Sequence, residues 1–205
     1  MYLSENKTFK ILLSFWLLAI SIGMYFVLDH ANKAALVTHP PKTWPADNNI
    51  LLAKDKYTLV LFSHPKCPCT RATLEELARL MTQCQNRLKA YALFSKPKNS
   101  SVDWEQTDIW ETAKLIPELE VKIDLEGQTA EKFNATTSGQ VVVYDPQGKL
   151  LFSGGITSAR GHAGDNIGRS SIVALVNNGV LPQITTPVFG CTLCLPNSGK
   201  NNPEK

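Results

Sequence analysis

A long apolar run lies near the N-terminus of the chain. Residues 11–28 contain no charged side chain, and this length is close to the lower limit for a helix that crosses a bilayer. Lys7 and Lys10 precede the run, and cations on that side favour a cytoplasmic N-terminus. Residues 1–30 are therefore predicted to anchor the chain in the inner (cytoplasmic) membrane by a single pass. The remainder would face the periplasm or another extracytoplasmic space.

A cleaved signal peptide is the alternative interpretation of this run. The apolar region of a signal peptide is usually about 7–15 residues long and is followed by small residues at a cleavage site. The run here is longer, and no clear A-x-A motif follows it. Either interpretation exports the rest of the chain. Residues 31–55 are rich in proline, aspartate and asparagine and are predicted to be a linker.

Beyond residue 56, short β-branched runs alternate with helical patterns. Residues 57–62 (YTLVLF) predict a buried strand. Pro68 suits the first position of a helix, and the spacing of Leu74, Leu77, Ala78 and Met81 gives that helix one apolar face. Further strands are predicted at 88–94, 119–123, 140–144 and 149–152, and further helices at 104–115, at 130–133 and from Ser170 or Ser171 to Val176.

This order predicts an α/β fold with a mixed sheet. Strands that alternate with helices favour a parallel core, and the turn signal at residues 145–148 predicts an antiparallel hairpin. The composition argues against one class of partner, nucleic acids. The formal net charge is +3 and no run of five Lys or Arg occurs, so nucleic acid is not an expected partner.

Four of the five cysteines fall into two close pairs. A chain of this size does not need disulfides for stability, so close pairing favours redox or metal chemistry. Cys84 continues the apolar face of the first domain helix and is predicted to be a core residue.

Cys67 and Cys69 flank Pro68 where a strand is predicted to meet a helix. A helix N-terminus lowers the pKa of a thiol, and Arg71 in the first turn could assist. Cys67, at the cap position, is the predicted nucleophile. A bond between Cys67 and Cys69 would close a small, strained ring, so these cysteines could instead pair with others.

Cys191 and Cys194 form a C-x-x-C pair near the C-terminus. Such a pair can relay a disulfide to the helix pair, form a plain surface disulfide, or provide part of a metal site. The metal hypothesis takes copper or zinc, with soft thiolates selecting Cu(I); its ligands would be His64, Cys67, Cys69, Cys191 and Cys194. Otherwise no cofactor is expected.

The segment from Ala159 to Asn166 is rich in glycine and polar residues. Its polar side chains could reach the thiols or a substrate, or the segment could be a turn that caps the last helix. The side chains in question are Arg160, His162, Asp165 and Asn166.

The segments SHPKCPCTR (63–71), RGHAGDN (160–166) and FGC (189–191) carry a resemblance to a known family. The chain resembles the thioredoxin superfamily, most closely the RedB-like set of membrane-anchored bacterial proteins. This resemblance implies a thioredoxin-like fold over residues 56–185, a tail at 186–205, and thiol–disulfide exchange with protein thiols or disulfides. The superfamily usually has a cis-proline before the hairpin, but residues 135–140 contain no proline, and C-x-C replaces C-x-x-C.

The preferred hypothesis is an extracytoplasmic thiol–disulfide oxidoreductase with Cys67, Cys69 and Arg71 at its site. Cys191 and Cys194 would recycle that site through mixed disulfides. A copper-handling protein on the same fold is the alternative. A peroxidase is a third hypothesis, which needs one accessible, low-pKa thiol with a resolving partner.

Overall fold

The computed structural model describes residues 2–36 and 38–193, and it divides into two units between Lys33 and Ala34. The first unit is helix α1, Tyr2–Asn32. Its segment Lys7–Asn32, 26 residues long, is apolar enough to cross a membrane. At 1.5 Å per residue this segment spans about 39 Å, more than the roughly 30 Å apolar layer of a bilayer. An N-terminal signal sequence would meet the same criteria.

The second unit contains a five-stranded sheet in the order β3-β2-β1-β4-β5. The strands are β1 Tyr57–Ser63, β2 Leu88–Lys96, β3 Leu119–Leu125, β4 Gln140–Tyr144 and β5 Leu150–Gly154. β1, β2 and β3 run parallel, whereas β4 is antiparallel to both β1 and β5. The predicted α/β class, with a parallel core and an antiparallel hairpin, is confirmed.

Helices cover both faces of this sheet. They are α2 Pro68–Gln83, α3 Asp108–Lys114, α4 Gln128–Lys132 and α5 Ile167–Asn178. Successive strand residues point to opposite faces: Leu59 and Leu61 pack with α2, α3 and α5, whereas Val60 and Phe62 pack with α4. β1 is buried on both sides, which accounts for its nearly continuous apolar sequence. Cys84 is 1% exposed, as the core prediction requires.

Three helices begin at residues other than those predicted from the sequence, and α4 does so at Gln128 instead of Ala130. α3 begins at Asp108 because the side chain of Thr107 accepts a hydrogen bond from the N–H of Trp110. α5 begins at Ile167 because Asn166 caps it through the N–H of Arg169. The predicted start at Ser170 or Ser171 is therefore too late. Gly168 lies inside the helix, where a Cβ would meet the carbonyl oxygen of Gly155 at 2.1 Å.

The segment predicted as a linker packs onto the sheet. The N–H of Trp44 donates to the carbonyl of Gly148, and the Trp44 ring meets Phe133 and Tyr144 edge-on, each at 5.2 Å between centroids. Ile50 is only 2% exposed. This part of residues 31–55 belongs to the domain, because its apolar side chains complete the core on the α4 face.

Candidate active site

Cys67 lies between the end of β1 and the start of α2. The turn after β1 is closed by the N–H of Cys67, which donates to the carbonyl of His64 at 3.1 Å. Cys67 is the N-cap residue of α2, and Pro68 follows it in the first turn. The Cys67 residue is 1% exposed and Cys69 is 9% exposed. Local sequence thus places one sulfur at the positive end of a helix dipole.

The second sulfur at this point comes from the far end of the chain. Cys191 Sγ lies 2.9 Å from Cys67 Sγ. Both thiols are free, and Cys191 is an exposed residue. The structure therefore brings one cysteine of the predicted relay pair directly to the helix pair. Cys194, its expected partner, lies outside the described residues.

Backbone hydrogen bonds hold the segment that carries Cys191. The N–H of Ser138 donates to the carbonyl of Cys191, and the N–H of Leu193 donates to the carbonyl of Thr136, both at 2.8 Å. Thr137 and Thr192 form the antiparallel bridge between these bonds. We call residues 189–193 the tail strand. Leu193, 2% exposed, anchors this strand in the core on the α4 face.

Gly190 allows the tail strand to approach so closely. A Cβ at this position would lie 1.8 Å from the carbonyl oxygen of Ser138, which is backbone and has no freedom to rotate away. Arg160 fixes the other side, because its guanidinium donates to the carbonyl of Gly190 at 2.9 Å. Of the two alternatives for this loop, a contact with the thiols and a capping turn, the first has one candidate side chain, Arg160, which contacts the strand that carries Cys191.

Ser138 connects the tail strand to the helix start. Its Oγ accepts a hydrogen bond from the N–H of His64 at 2.9 Å and lies 2.8 Å from Thr70 Oγ1. This is the segment in which a cis-proline was missing from the sequence, and within residues 2–36 and 38–193 no cis peptide bond occurs. Sequence reasoning missed Ser138 and Thr70, although the missing proline marked the correct segment.

The two touching thiols have opposite pKa shifts. Burial raises the pKa of Cys67, but hydrogen bonds with Cys191 and with the backbone of Cys69 and Thr70 outweigh burial and hold that pKa below its ordinary value. Burial and the same contact with Cys67 raise the pKa of Cys191 to about 12. Burial and the charge of Cys67 also raise the pKa of Cys69. The proton is thus lost first from Cys67.

Arg71, which was predicted to assist the thiols, and Lys66, which precedes Cys67, have other close partners. Arg71 forms an ion pair with Asp108, and their side chains are 50% and 70% exposed. The ammonium group of Lys66 lies over the Trp104 ring, 3.6 Å from its centroid. The charge of Arg160 opposes the rise in the pKa of Cys69 and of Cys191, but both values stay raised.

The remaining residues of the loop have structural contacts. Asn166 caps α5 and also donates to Glu76, which accepts a further hydrogen bond from the N–H of Gly164. Asp165 pairs with Arg169, and the Nδ1 atom of His162 lies 3.0 Å from the carbonyl of Arg160. Glu76, fully buried on α2, was not predicted from the sequence and ties this loop to the helix that carries Cys67.

The proposed metal ligands are only partly gathered. His64 Nδ1 accepts a hydrogen bond from the N–H of Lys66, and burial together with the Lys66 charge lowers the pKa of His64. Within the described part of the chain, no group of three His, Cys, Asp or Glu side chains has the arrangement of a metal site. Cys194, the fifth ligand of that hypothesis, cannot be placed because it is outside the described range.

Comparison with known proteins adds structural relatives. No protein-family model and no curated protein matches the chain. An uncharacterised conserved protein from Geobacillus kaustophilus has a similar structure, with a TM-score of 0.59 and 17% identity over 85% of this chain and 95% of its own. A hypothetical protein from Sinorhizobium meliloti 1021 has a TM-score of 0.59 and 19% identity over 80% of this chain and 97% of its own.

A third relative is the exposed lipoprotein thioredoxin of Streptococcus pneumoniae strain TIGR4. It has a TM-score of 0.46 and 17% identity over 67% of this chain and 98% of its own. At sequence identities this low, the similarity to these proteins describes the fold alone. The order and directions of its strands give the second unit of the chain the predicted thioredoxin-like fold, a mixed sheet with flanking helices, and the apolar helix α1 precedes it in the sequence.

Proposed function

We propose that this protein is a membrane-anchored thiol–disulfide oxidoreductase that works outside the cytoplasm. The observation that carries the proposal is the distance of 2.9 Å between the sulfur atoms of Cys67 and Cys191. A disulfide needs about 2.05 Å, so a small approach of the two sulfurs would form the bond. Cys67 and Cys191 are then the redox pair, and protein thiols or disulfides are its substrates.

Three features favour exchange chemistry at this pair. Hydrogen bonds with Cys191 and the backbone overcome the effect of burial and lower the pKa of Cys67, which favours the thiolate that disulfide exchange requires. Cys69 is a third sulfur close enough to Cys67 for their charges and hydrogen bonding to interact. Cys194 lies three positions beyond Cys191 in the sequence and completes the C-x-x-C relay of the proposal.

The location follows from the N-terminal helix. Lys7 and Lys10 lie on the N-terminal side of the apolar run, and cations favour the cytoplasmic side. The domain would then be in a compartment where disulfides persist. The finer resemblance to RedB-like proteins is part of this proposal. Two reporters fused after Lys205, one active only outside the cytoplasm and one active only inside it, test the orientation, and activity of the cytoplasmic reporter alone would contradict it.

Mass spectrometry of the full chain tests the chemistry. The protein, purified in detergent without chelator, is equilibrated in a series of glutathione redox buffers, quenched with acid and mapped for disulfides. We expect a Cys67–Cys191 bond that opens and closes reversibly, and its loss in C191S. C84S is the matched control, because Cys84 is buried in the core and its pKa, raised by burial to about 11, makes it unreactive.

Metal content is measured on the same sample. Stoichiometric copper or zinc, with thiols that resist oxidation until the metal is removed, would replace the redox proposal by the metal hypothesis. A bond that opens and closes reversibly between Cys67 and Cys69, with none to Cys191, would leave thiol exchange in place but would remove Cys191 from the redox pair.

A further inference from the structure

The two sulfurs of the proposed redox pair differ in their access to solvent. Cys67 is 1% exposed, and its sulfur lies against Cys191 of the tail strand. Cys191 is an exposed residue on that strand. A substrate that approaches the closed structure therefore meets Cys191 first, and it reaches Cys67 only after the tail strand has detached.

Detachment of the tail strand would break several contacts at once. Two backbone hydrogen bonds join this strand to Thr136 and Ser138, Arg160 holds the carbonyl of Gly190, and the buried side chain of Leu193 would have to leave the core. An opening that must break these contacts together is rarely populated.

We infer that Cys191, and not Cys67, is the cysteine that exchanges disulfides directly with the substrate, while Cys67 exchanges with Cys191 inside the protein. This inference rests on the proposed function and assigns the roles within it. It reverses the order expected from the sequence, in which the helix cysteine acts on the substrate and the tail pair recycles it.

The reaction balances as a two-step exchange. A substrate thiolate attacks Cys191 Sγ in the Cys67–Cys191 disulfide; a bond forms between the substrate sulfur and Cys191, and the Cys67–Cys191 bond breaks with its electron pair on Cys67. A second thiolate of the same substrate then attacks the substrate sulfur that is bonded to Cys191. Cys191 leaves as a thiolate and takes up a proton. The substrate dithiol is oxidised by two electrons, and the pair is reduced to two thiols.

The choice of sulfur follows from the leaving group as well as from access. Exchange is faster when the departing thiol has the lower pKa. Attack on Cys191 releases Cys67, whose thiolate is stabilised by backbone hydrogen bonds from the start of α2. Attack on Cys67 would release Cys191, whose pKa burial raises. Both considerations direct the substrate to Cys191.

The experiment uses the full chain with C69S and C194S substitutions, oxidised by glutathione disulfide and then exposed briefly to reduced glutathione as the probe. Removing these two cysteines preserves an adduct at either position, since Cys69 could resolve an adduct on Cys67 and Cys194 one on Cys191. The reaction is quenched with acid and N-ethylmaleimide, and the glutathione adduct is mapped. We expect at least about a tenfold excess of adduct on Cys191 over Cys67.

An adduct mainly on Cys67 would overturn the inference, while reversible opening of the Cys67–Cys191 bond would leave the proposed function intact. No reaction with glutathione at any concentration would overturn both. The same ratio is measured on the unmodified chain at the shortest quench times, where an excess on Cys191 supports the inference independently of any folding defect in the variant.

Discussion

The start of α2 and the tail strand each supply one sulfur to the same contact, but they hold it by different means. Cys67 is fixed by elements next to it in sequence, the end of β1 and the first turn of α2. Cys191 is fixed by backbone bonds to Thr136 and Ser138, residues more than 50 positions away. One half of the site belongs to the scaffold, and the other half is docked onto it.

This difference also divides the chemistry. Backbone groups at the helix start and of Cys191 on the tail strand both stabilise the Cys67 thiolate, but the tail strand also uses its backbone to bind the loop before β4. The pKa of Cys67 is lowered and that of Cys191 is raised, so Cys67 ionises first. Cys67, on the scaffold, is the thiol that ionises more readily, and Cys191, on the docked strand, is the thiol that is exposed to solvent. The two members of the redox pair therefore have distinct roles.

Glu76 ties α2 to the loop that carries Arg160, and its loss should have the largest effect. It is fully buried on α2, accepts hydrogen bonds from Gly164 and Asn166, and forms ion pairs with Arg79 and Arg169. E76Q removes the negative charge that pairs with Arg169, so we expect the free energy of unfolding to fall by about 3 kcal/mol. Urea unfolding followed by tryptophan fluorescence measures this.

E75Q is the matched control for E76Q, because Glu75 is exposed one position earlier on the same helix. E75Q should leave the unfolding midpoint unchanged. Equal midpoints for E76Q and E75Q would show that Glu76 does not hold the loop to α2.

A substitution at Gly190 tests directly whether the docked tail strand shields Cys67. G190A places a Cβ 1.8 Å from the carbonyl oxygen of Ser138, and overpacking of this kind costs about 1–3 kcal/mol. The tail strand should then detach more often, and iodoacetamide should modify reduced Cys67 about 10- to 100-fold faster. Mass spectrometry of quenched samples gives the rate. T192A, a change at an exposed residue of the same strand, should not alter it; an equal rate in G190A would mean that the strand does not shield Cys67.

The contact between the thiols predicts a pH effect. Hydrogen bonding with Cys191 helps to lower the pKa of Cys67 against the opposing effect of burial, so C191A should raise that pKa. At a given pH less thiolate is present, and the midpoint of the alkylation-rate profile of Cys67 should move to higher pH. The plateau rate at high pH should not fall, because access to Cys67 is no worse without Cys191. A midpoint that stays in place or moves down would contradict the hydrogen bond; T192A should keep the original profile.

The scaffold half of the site could be predicted from the sequence because its determinants are local. The apolar run of β1, the spacing of Leu74 and Leu77, and Pro68 at a first helical position define the strand–helix junction without any distant contact. Local signals also predict the mixed sheet, through the turn at residues 145–148, and the core position of Cys84 on the apolar face of α2.

The docked half could not be predicted in this way. The contact between Cys67 and Cys191 joins residues 124 positions apart, and it depends on a glycine whose role appears only against the backbone of Ser138. The proline-rich segment before β1 resembled a linker, yet Ile50 and Trp44 pack in the core, since single apolar residues in an irregular segment show no periodicity. Long-range docking determined both outcomes.

Arg71 provides the smallest and last test, because it decides whether the scaffold thiol also needs a side-chain cation. The sequence predicts that Arg71 assists the thiolate, but its guanidinium pairs with Asp108 and both side chains are largely exposed. Exposed ion pairs contribute little, so R71Q should change the alkylation rate of Cys67 by less than about twofold. D108N is the matched variant, since it removes the pair from the other side. A slowing of tenfold or more in R71Q, absent in D108N, would show that Arg71 acts on the thiols; equal, small effects in both would leave stabilisation of the Cys67 thiolate to the contact with Cys191 and the backbone of α2.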